Sequence, residues 1–199
     1  MIENENTDYS SIGSFYSFKK NNVFKKEMYS KEEKRTSGKI KIISDLLKDI
    51  CEEGKSNKDD KLLLIKPFIS KKIPSISIND YIERLFRYSK VQQEIFILVL
   101  IYIDRVCQNH KINLNYNNIH KIILISFIVA IKFYEDEYYS LNYYSKLGGV
   151  SKKEIINLEY KFLVLLDFNL YVKDDLFNKY NQNLDNLEND DNDSDFDYD

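Results

Sequence analysis

The stretch IFILVLIYIDRV, residues 95–106, decides the fold because it begins with nine consecutive apolar or aromatic side chains, Ile95 to Ile103. A helix that is apolar on every side has no face for water, so it belongs at the centre of a domain with other helices around it. The run is too short to cross a bilayer, which takes roughly 20 apolar residues. Two charges, Asp104 and Arg105, follow the run directly and require an explanation.

Helical patterns precede this central segment. Apolar residues recur at the spacing of one helical face over 39–53, which predicts an amphipathic helix. Two prolines, Pro67 and Pro74, indicate an extended linker after it. Ser77, three residues before Asp80, is typical of a capping box and predicts a second helix that runs to about 90.

Helical patterns also follow the central segment. The next helix is predicted from an N-cap at Asn115 to about Phe133 and is again apolar almost all round. A short helix over 141–147 ends at a glycine pair that suits a C-terminal cap. Ser151 and Glu154 form another capping box and open a helix to about 168. A last helix is predicted at about 173–187, where it fades into an acidic segment.

These patterns predict an all-α protein with five packed helices and one flanking helix on each side. We divide the chain into a disordered N-terminal tail at 1–38, a flanking helix and linker at 39–75, a helical body at 76–180 and an acidic disordered tail at 181–199. The first tail is rich in polar residues, a composition that does not offset the entropy of ordering. Its segment FYSFKKNNVFKK is either a docking segment or a biased tail with chance aromatics.

Charge and cysteine content limit the possible functions. The formal net charge is -3, and eight acids with no base lie after Lys179. In the rest of the chain lysines and glutamates are interleaved, so no single-sign stripe typical of a nucleic-acid-binding protein is present. The two cysteines, Cys51 and Cys107, each lie within a helical pattern, which favours buried reduced thiols and a reducing compartment. The acidic, polar start of the chain has no signal-peptide pattern.

Three charges interrupt faces that are predicted to be buried. Glu159 lies in a stripe with Ile155, Ile156, Phe162, Leu163 and Leu166, where an unpaired carboxylate would cost several kcal/mol. It therefore needs a cation, either from this chain or from a docked partner. Lys132 interrupts the last turn of an apolar helix, where the helix dipole also favours a cation. Asp104 either pairs with a base on a neighbouring helix or belongs with the other two in a shared polar site.

The sequence offers little support for catalysis. It has no glycine-rich phosphate loop and no nucleophile elbow. Its two histidines, His110 and His120, have no metal-ligand spacing to each other or to either cysteine. His120 is predicted to be a hydrogen-bonded structural residue. We therefore expect no enzyme activity, no cofactor and no metal site.

Several stretches, in order and at matching spacing over about 40–180, resemble a P/U-type cyclin with a single cyclin box. They include LVLIYIDRV, NIHKIILISFIVAIKF and NLEYKFLVLLDFNLYV. The resemblance implies a five-helix cyclin box that binds a cyclin-dependent serine/threonine protein kinase and activates it allosterically. It implies a cytoplasmic or nuclear protein, with no nucleic acid, membrane or small-molecule substrate as a partner.

The resemblance also implies roles for particular residues. Lys132 and Glu159 match the lysine and glutamate that cyclins present to the movable helix of the kinase, and Phe133 and Phe162 are expected to form the apolar dock around them. Asp136, in YEDEYY, is expected either to substitute for activation-loop phosphate by pairing with kinase arginines or to lie in an ordinary solvated loop. Asp104 and Arg105 match the acid and base of the family's YIDR motif and are expected to brace neighbouring helices and the site around Lys132.

Two other functions fit the same fold, because the fold alone does not fix function. One is a cyclin-fold transcription-factor module, which would require a basic face and salt-dependent binding to DNA. The other is a scaffold module.

Overall fold

The structure is a computed structural model that describes residues 38–54 and 64–193, with side chains described up to residue 189. Within these ranges the chain forms seven α-helices, one 3-10 turn at Lys66–Phe68 and no strand. The helices are α1 (Gly38–Glu53), α2 (Ile78–Ser89), α3 (Glu94–His110), α4 (Ile119–Tyr134), α5 (Leu141–Gly148), α6 (Lys152–Leu165) and α7 (Asp174–Asp193). The predicted all-α fold, with a five-helix box from α2 to α6 between two flanking helices, is confirmed.

Helices α3 and α4 form the centre of the core and pack against each other. Every residue from Ile95 to Ile103 and from Ile122 to Ile131 is buried. The small side chains in α4 allow close packing, and the Ser126 hydroxyl, which is fully buried, donates a hydrogen bond to the Ile122 carbonyl at 2.7 Å. The two segments that are apolar on every side are therefore the two that other helices surround, as the pattern predicts.

Side-chain caps fix the starts of the shorter helices. Ser77, Ser140 and Ser151 each accept a hydrogen bond from the backbone N–H three residues later, at 3.0, 3.4 and 3.2 Å, which confirms Ser77 and Ser151 as the N-caps of α2 and α6. Gly149 ends α5 with a φ of +67°, a conformation that glycine adopts without strain. The positions of α2, α5 and α6 therefore follow from local sequence signals.

The predicted N-cap at Asn115 is wrong. Helix α4 begins at Ile119, with Asn118 as its N-cap residue. Asn115 instead closes a turn before the helix: its side chain accepts from the N–H of Asn117, and its own N–H donates to the Asn118 side chain, both at 3.0 Å. Asparagine favours such turns as strongly as it favours caps, so the sequence alone did not separate the two roles.

The predicted start of the acidic tail at 181 is also wrong, because α7 continues as a helix to Asp193. It packs on α1 and α3. Leu184 and Leu187 are buried, and Lys39 in α1 forms an ion pair with Asp185 at 2.6 Å. A Cβ on Gly38 would lie 1.9 Å from the Glu188 carboxylate, so the two flanking helices approach closely there. The predicted N-terminal tail up to residue 37 lies outside the described residues, as does FYSFKKNNVFKK.

Both cysteines are free thiols, as predicted. Cys51 is buried in α1, and burial raises the pKa of its thiol to about 12, so it is protonated near neutral pH. Cys107, in α3, is partly exposed. Neither helix depends on a disulfide for its position.

Candidate partner-docking site

Lys132 and Glu159 meet on the surface of the helical body. Lys132 lies in the last turn of α4 and Glu159 in the middle of α6, and the Lys132 Nζ atom is 2.6 Å from the Glu159 Oε1 atom. Their side chains are 28% and 16% exposed. Glu159 therefore finds its cation within the chain, and the pair forms before any partner arrives.

Apolar side chains surround this ion pair and remain in contact with water. Phe133, beside Lys132, is 48% exposed. On α6, Ile156 and Tyr160 are 51% and 58% exposed. Tyr160 lies four residues after Ile156 and Glu159 three, so each shares a side of the helix with Ile156. Lys161 lies over the Tyr160 ring, 5.6 Å from its centroid. We call Lys132, Glu159, Phe133, Ile156 and Tyr160 the ion-pair face.

Two predictions about this face are wrong. Phe162 is fully buried and lies 6.2 Å from the ring of Phe68, so it supports α6 from inside and does not form part of a docking surface. Ile156, predicted in the buried stripe, is exposed. Tyr160 was not predicted at all, although its position one turn after Ile156 and next to Glu159 is a usable signal.

An acidic loop follows α4 directly. Asp136 and Glu137 are exposed and Glu135 is partly buried. Asp136 lies only four residues after Lys132 along the chain. It has no ion pair with any residue in the described part of the chain. Its carboxylate is therefore accessible to a partner that docks beside α4.

Asp104 contacts the last helix. The residue is 4% exposed, and its carboxylate accepts a hydrogen bond from the Tyr180 hydroxyl at 2.5 Å. Burial raises the pKa of Asp104 to about 6, against the opposing effect of hydrogen bonds from Tyr180 and Gln108. No base on a neighbouring described helix pairs with it. It joins α3 to α7 and does not contact Lys132.

Arg105 points to a different neighbour. Its guanidinium donates to the backbone carbonyls of Asn169 and Tyr171, in the segment that connects α6 to α7. It also lies over the Tyr102 ring, 5.8 Å from the centroid. Asp104 and Arg105 form no ion pair with each other, and each has its own contacts.

Other features of the described residues lie outside the ion-pair face. A groove of about 580 Å³ lies between α2 and α5, and no predicted site residue lines it. The Nε2 atom of His120 lies 3.0 Å from the Ile76 carbonyl, which confirms its predicted structural role, and burial lowers the pKa of this imidazole.

Among residues 38–54 and 64–193, no cluster of three or more His, Cys, Asp or Glu side chains is arranged to hold a metal ion. No described helix combines the length and apolar character that a membrane span requires.

Comparison with known proteins identifies related chains. The Cyclin family model matches residues 11–170. Cyclin-U2-1 of Arabidopsis thaliana is 35% identical over 114 residues, which cover 57% of this chain and 51% of that protein. PHO85 cyclin-7 of Saccharomyces cerevisiae is 31% identical over 155 residues, which cover 71% of this chain and 54% of that protein.

A rice protein gives a similar result. Cyclin-P3-1 of Oryza sativa subsp. japonica is 34% identical over 113 residues, which cover 57% of this chain and 48% of that protein. The chain thus spans about half the length of the relatives it matches.

Proposed function

Because this chain belongs to the cyclin family, with U-type, P-type and PHO85 cyclins among its relatives, we propose that it is a regulatory subunit. It binds a cyclin-dependent serine/threonine protein kinase and activates it without chemistry of its own. The free thiols support a site of action in the cytoplasm or nucleus. The observation that carries the proposal is the ion-pair face.

The composition of this face supports docking to a protein. Exposed aromatic and aliphatic side chains next to a partly buried charged pair are the usual content of the centre of an interface. Phe133, Ile156 and Tyr160 supply apolar contact. The charges of Lys132 and Glu159 fix the orientation of the docked partner. Because the pair is already formed at 2.6 Å, little ordering remains to oppose binding.

The mechanism follows from what a kinase needs. Its mobile helix must move inward so that a glutamate on it pairs with the lysine that grips the ATP phosphates. Helices α4 and α6 are anchored by buried residues on their inner sides, so they present a rigid surface. Binding that favours the active arrangement over the inactive one shifts the population of the kinase towards activity.

Asp136 has a separate proposed role. An exposed carboxylate beside α4 can pair with the arginines that otherwise hold activation-loop phosphate. The supporting observation is its exposure together with its lack of an ion pair in the described part of the chain. The Asp136→Ala variant is expected to lower the activity of an unphosphorylated kinase and to leave that of a phosphorylated one unchanged. If the variant stimulates the unphosphorylated kinase as well as the wild-type chain does, this role is contradicted.

The test compares two double variants of the full chain. Lys132→Ala with Glu159→Ala removes the ion-pair face charges, whereas Lys121→Ala with Glu154→Ala removes another ion pair between the same two helices, at 2.8 Å. Each is titrated into the cyclin-dependent kinases of the source organism with a protein substrate. We expect the first variant to lose at least about tenfold in stimulation and the second to stay within about twofold of wild type. Equal stimulation by both would refute the proposal.

A further inference from the structure

The segment that connects α6 to α7 has a backbone conformation that its sequence does not favour. Asp167 and Phe168 have φ values of +51° and +53°, in the left-handed region that favours glycine. They cap α6, because their backbone N–H groups donate to the carbonyls of Val164 and Leu163 at 3.0 and 2.9 Å. Aspartate tolerates this conformation, but a bulky aromatic residue rarely adopts it.

Packing of the Phe168 ring does not account for this conformation. The side chain is 62% exposed, so it gains little from burial. A backbone in an unfavoured region persists where the surrounding structure fixes it, and such positions concentrate at functional sites. The helix cap and the contacts of the neighbouring backbone therefore hold this conformation together.

Arg105 supplies one part of those contacts. From α3 it donates one hydrogen bond to the carbonyl of Asn169 and another to that of Tyr171, the second at 3.5 Å. The planar guanidinium holds both donors in one rigid fork, whereas a lysine carries its donors on a single rotatable nitrogen. It holds two carbonyls on either side of Leu170, immediately after the strained residues.

Two tyrosines supply the other part. The Tyr102 hydroxyl donates to the Leu170 carbonyl at 2.7 Å. The Tyr134 hydroxyl accepts from the N–H of Val172 at 2.9 Å and lies 3.4 Å from the same Leu170 carbonyl. Side chains from α3 and α4 thus hold every residue from 169 to 172 through its backbone.

This connecting segment is continuous with the ion-pair face. Tyr134, which holds it, follows Phe133 directly, and their ring centroids are 5.0 Å apart. Phe133 in turn follows Lys132. At the other end, the Phe168 N–H is bonded to Leu163, one helical turn beyond Glu159 on α6.

We propose that Arg105 is a positioning residue that fixes the connecting segment so that the exposed Phe168 ring contacts an apolar side chain of the bound kinase. This inference rests on the proposed function and extends the docking surface beyond the ion-pair face. The strained backbone presents the ring in advance, which lowers the ordering required on binding. Arg105 acts through Phe168 and does not itself touch the partner.

The first part of the test uses the full chain alone. Amide hydrogen exchange over 168–172 is measured in Arg105→Ala and in the milder Arg105→Gln. The control is Arg84→Ala, which removes another arginine bond to a backbone carbonyl, that of Lys146 at 3.3 Å. Exchange is expected to rise at least about tenfold in both Arg105 variants and not in the control. Unchanged exchange in the Arg105 variants would overturn the positioning role.

The second part is a double-mutant cycle on kinase binding with Arg105→Ala, Phe168→Ala and the combination. We expect each single variant to weaken binding about tenfold and the double variant to be no weaker than Phe168→Ala alone. If the loss of affinity in the double variant equals the product of the two single losses, Arg105 acts independently of Phe168 and the inference is overturned. Normal binding by Phe168→Ala would overturn it while the proposed function stands. Failure of the wild-type chain to bind any kinase would overturn both, whatever the exchange data show.

Discussion

Two ion pairs join the same two helices, α4 and α6, and they differ in what surrounds them. Lys121 meets Glu154 at 2.8 Å and Lys132 meets Glu159 at 2.6 Å. Lys121 also donates to the Pro67 carbonyl at 3.2 Å, so that pair ties a loop to the body. Beside the second pair lie the exposed side chains of Phe133, Ile156 and Tyr160. The comparison teaches that the two pairs differ in their surroundings and hardly in their length, and the proposed function assigns docking to the pair that has exposed apolar side chains beside it.

Charge reversal of the two lysines gives the largest expected difference between the pairs. Lys132→Glu and Lys121→Glu each place two carboxylates in contact, so both should destabilise the fold, Lys132→Glu more because Glu159 is 16% exposed and Glu154 39%. Kinase affinity should fall about 100-fold for Lys132→Glu and change less than about threefold for Lys121→Glu. Calorimetric titration of the kinase with each full-length variant measures both affinities. Similar losses of affinity would show that the two ion pairs do not differ in docking.

Asp104 differs from the acids of both ion pairs, Glu154 and Glu159. It is a buried acid that pairs with no base in the described part of the chain. A rise of its pKa from 3.8 to about 6 means that the folded state binds the proton more tightly. The stability that this proton binding contributes is complete below pH 4 and is lost as the pH rises through 6, which leaves a cost of about 3 kcal/mol at pH 7.

The Asp104→Asn variant should therefore be more stable at pH 7.5 by about 3 kcal/mol and nearly equal to wild type at pH 4. Urea unfolding at both pH values measures the difference between the two chains, so other titrating groups cancel. A variant that is less stable than wild type at pH 7.5 would show that the Tyr180 hydrogen bond outweighs the cost of burying the charge.

Removing the apolar side chains around Lys132 and Glu159 tests what distinguishes the two pairs. Tyr160→Ala and Ile156→Ala should each weaken kinase binding about tenfold, because both side chains contribute apolar contact at the interface. Asn157→Ala, at an exposed position on the same helix, is the matched control. Thermal unfolding should be nearly unchanged for all three, since exposed substitutions rarely exceed 0.5 kcal/mol. If kinase affinity is unchanged in Tyr160→Ala and Ile156→Ala, the apolar side chains do not contribute and docking rests on the charges alone.

The smallest expected effect is on stability. Glu159→Ala and Glu154→Ala should each cost less than about 1 kcal/mol, because partly exposed ion pairs contribute little. Denaturant unfolding of both variants gives the two values. A cost of several kcal/mol for Glu159 alone would mean that its pair is chiefly structural.

Periodicity predicted the helices because most of them carry their own signals. The two segments that are apolar on every side predicted the central helices α3 and α4. Serine caps predicted where α2 and α6 begin. The motif resemblance selected Lys132 and Glu159, and the structure brings them together. Where local signals were ambiguous, as at Asn115, the predicted boundary was wrong.

Other features depend on neighbours that no local pattern reveals. Ile156 and Phe162 both lie on α6 among apolar residues, and only the packing of the helix decides that one is exposed and the other buried. The end of α7 depends on Lys39, some 140 residues earlier, which pairs with Asp185. Arg105 bonds to backbone carbonyls, which leave no trace in the sequence.

The central claim is that a kinase docks on the face around Lys132 and Glu159 and leaves the Lys121–Glu154 pair free. Hydrogen exchange of the full chain with and without its kinase tests this most directly. We predict strong protection on binding over residues 131–134 and 155–161, and none around Lys121. Protection around Lys121 with none over 155–161 would contradict the claim.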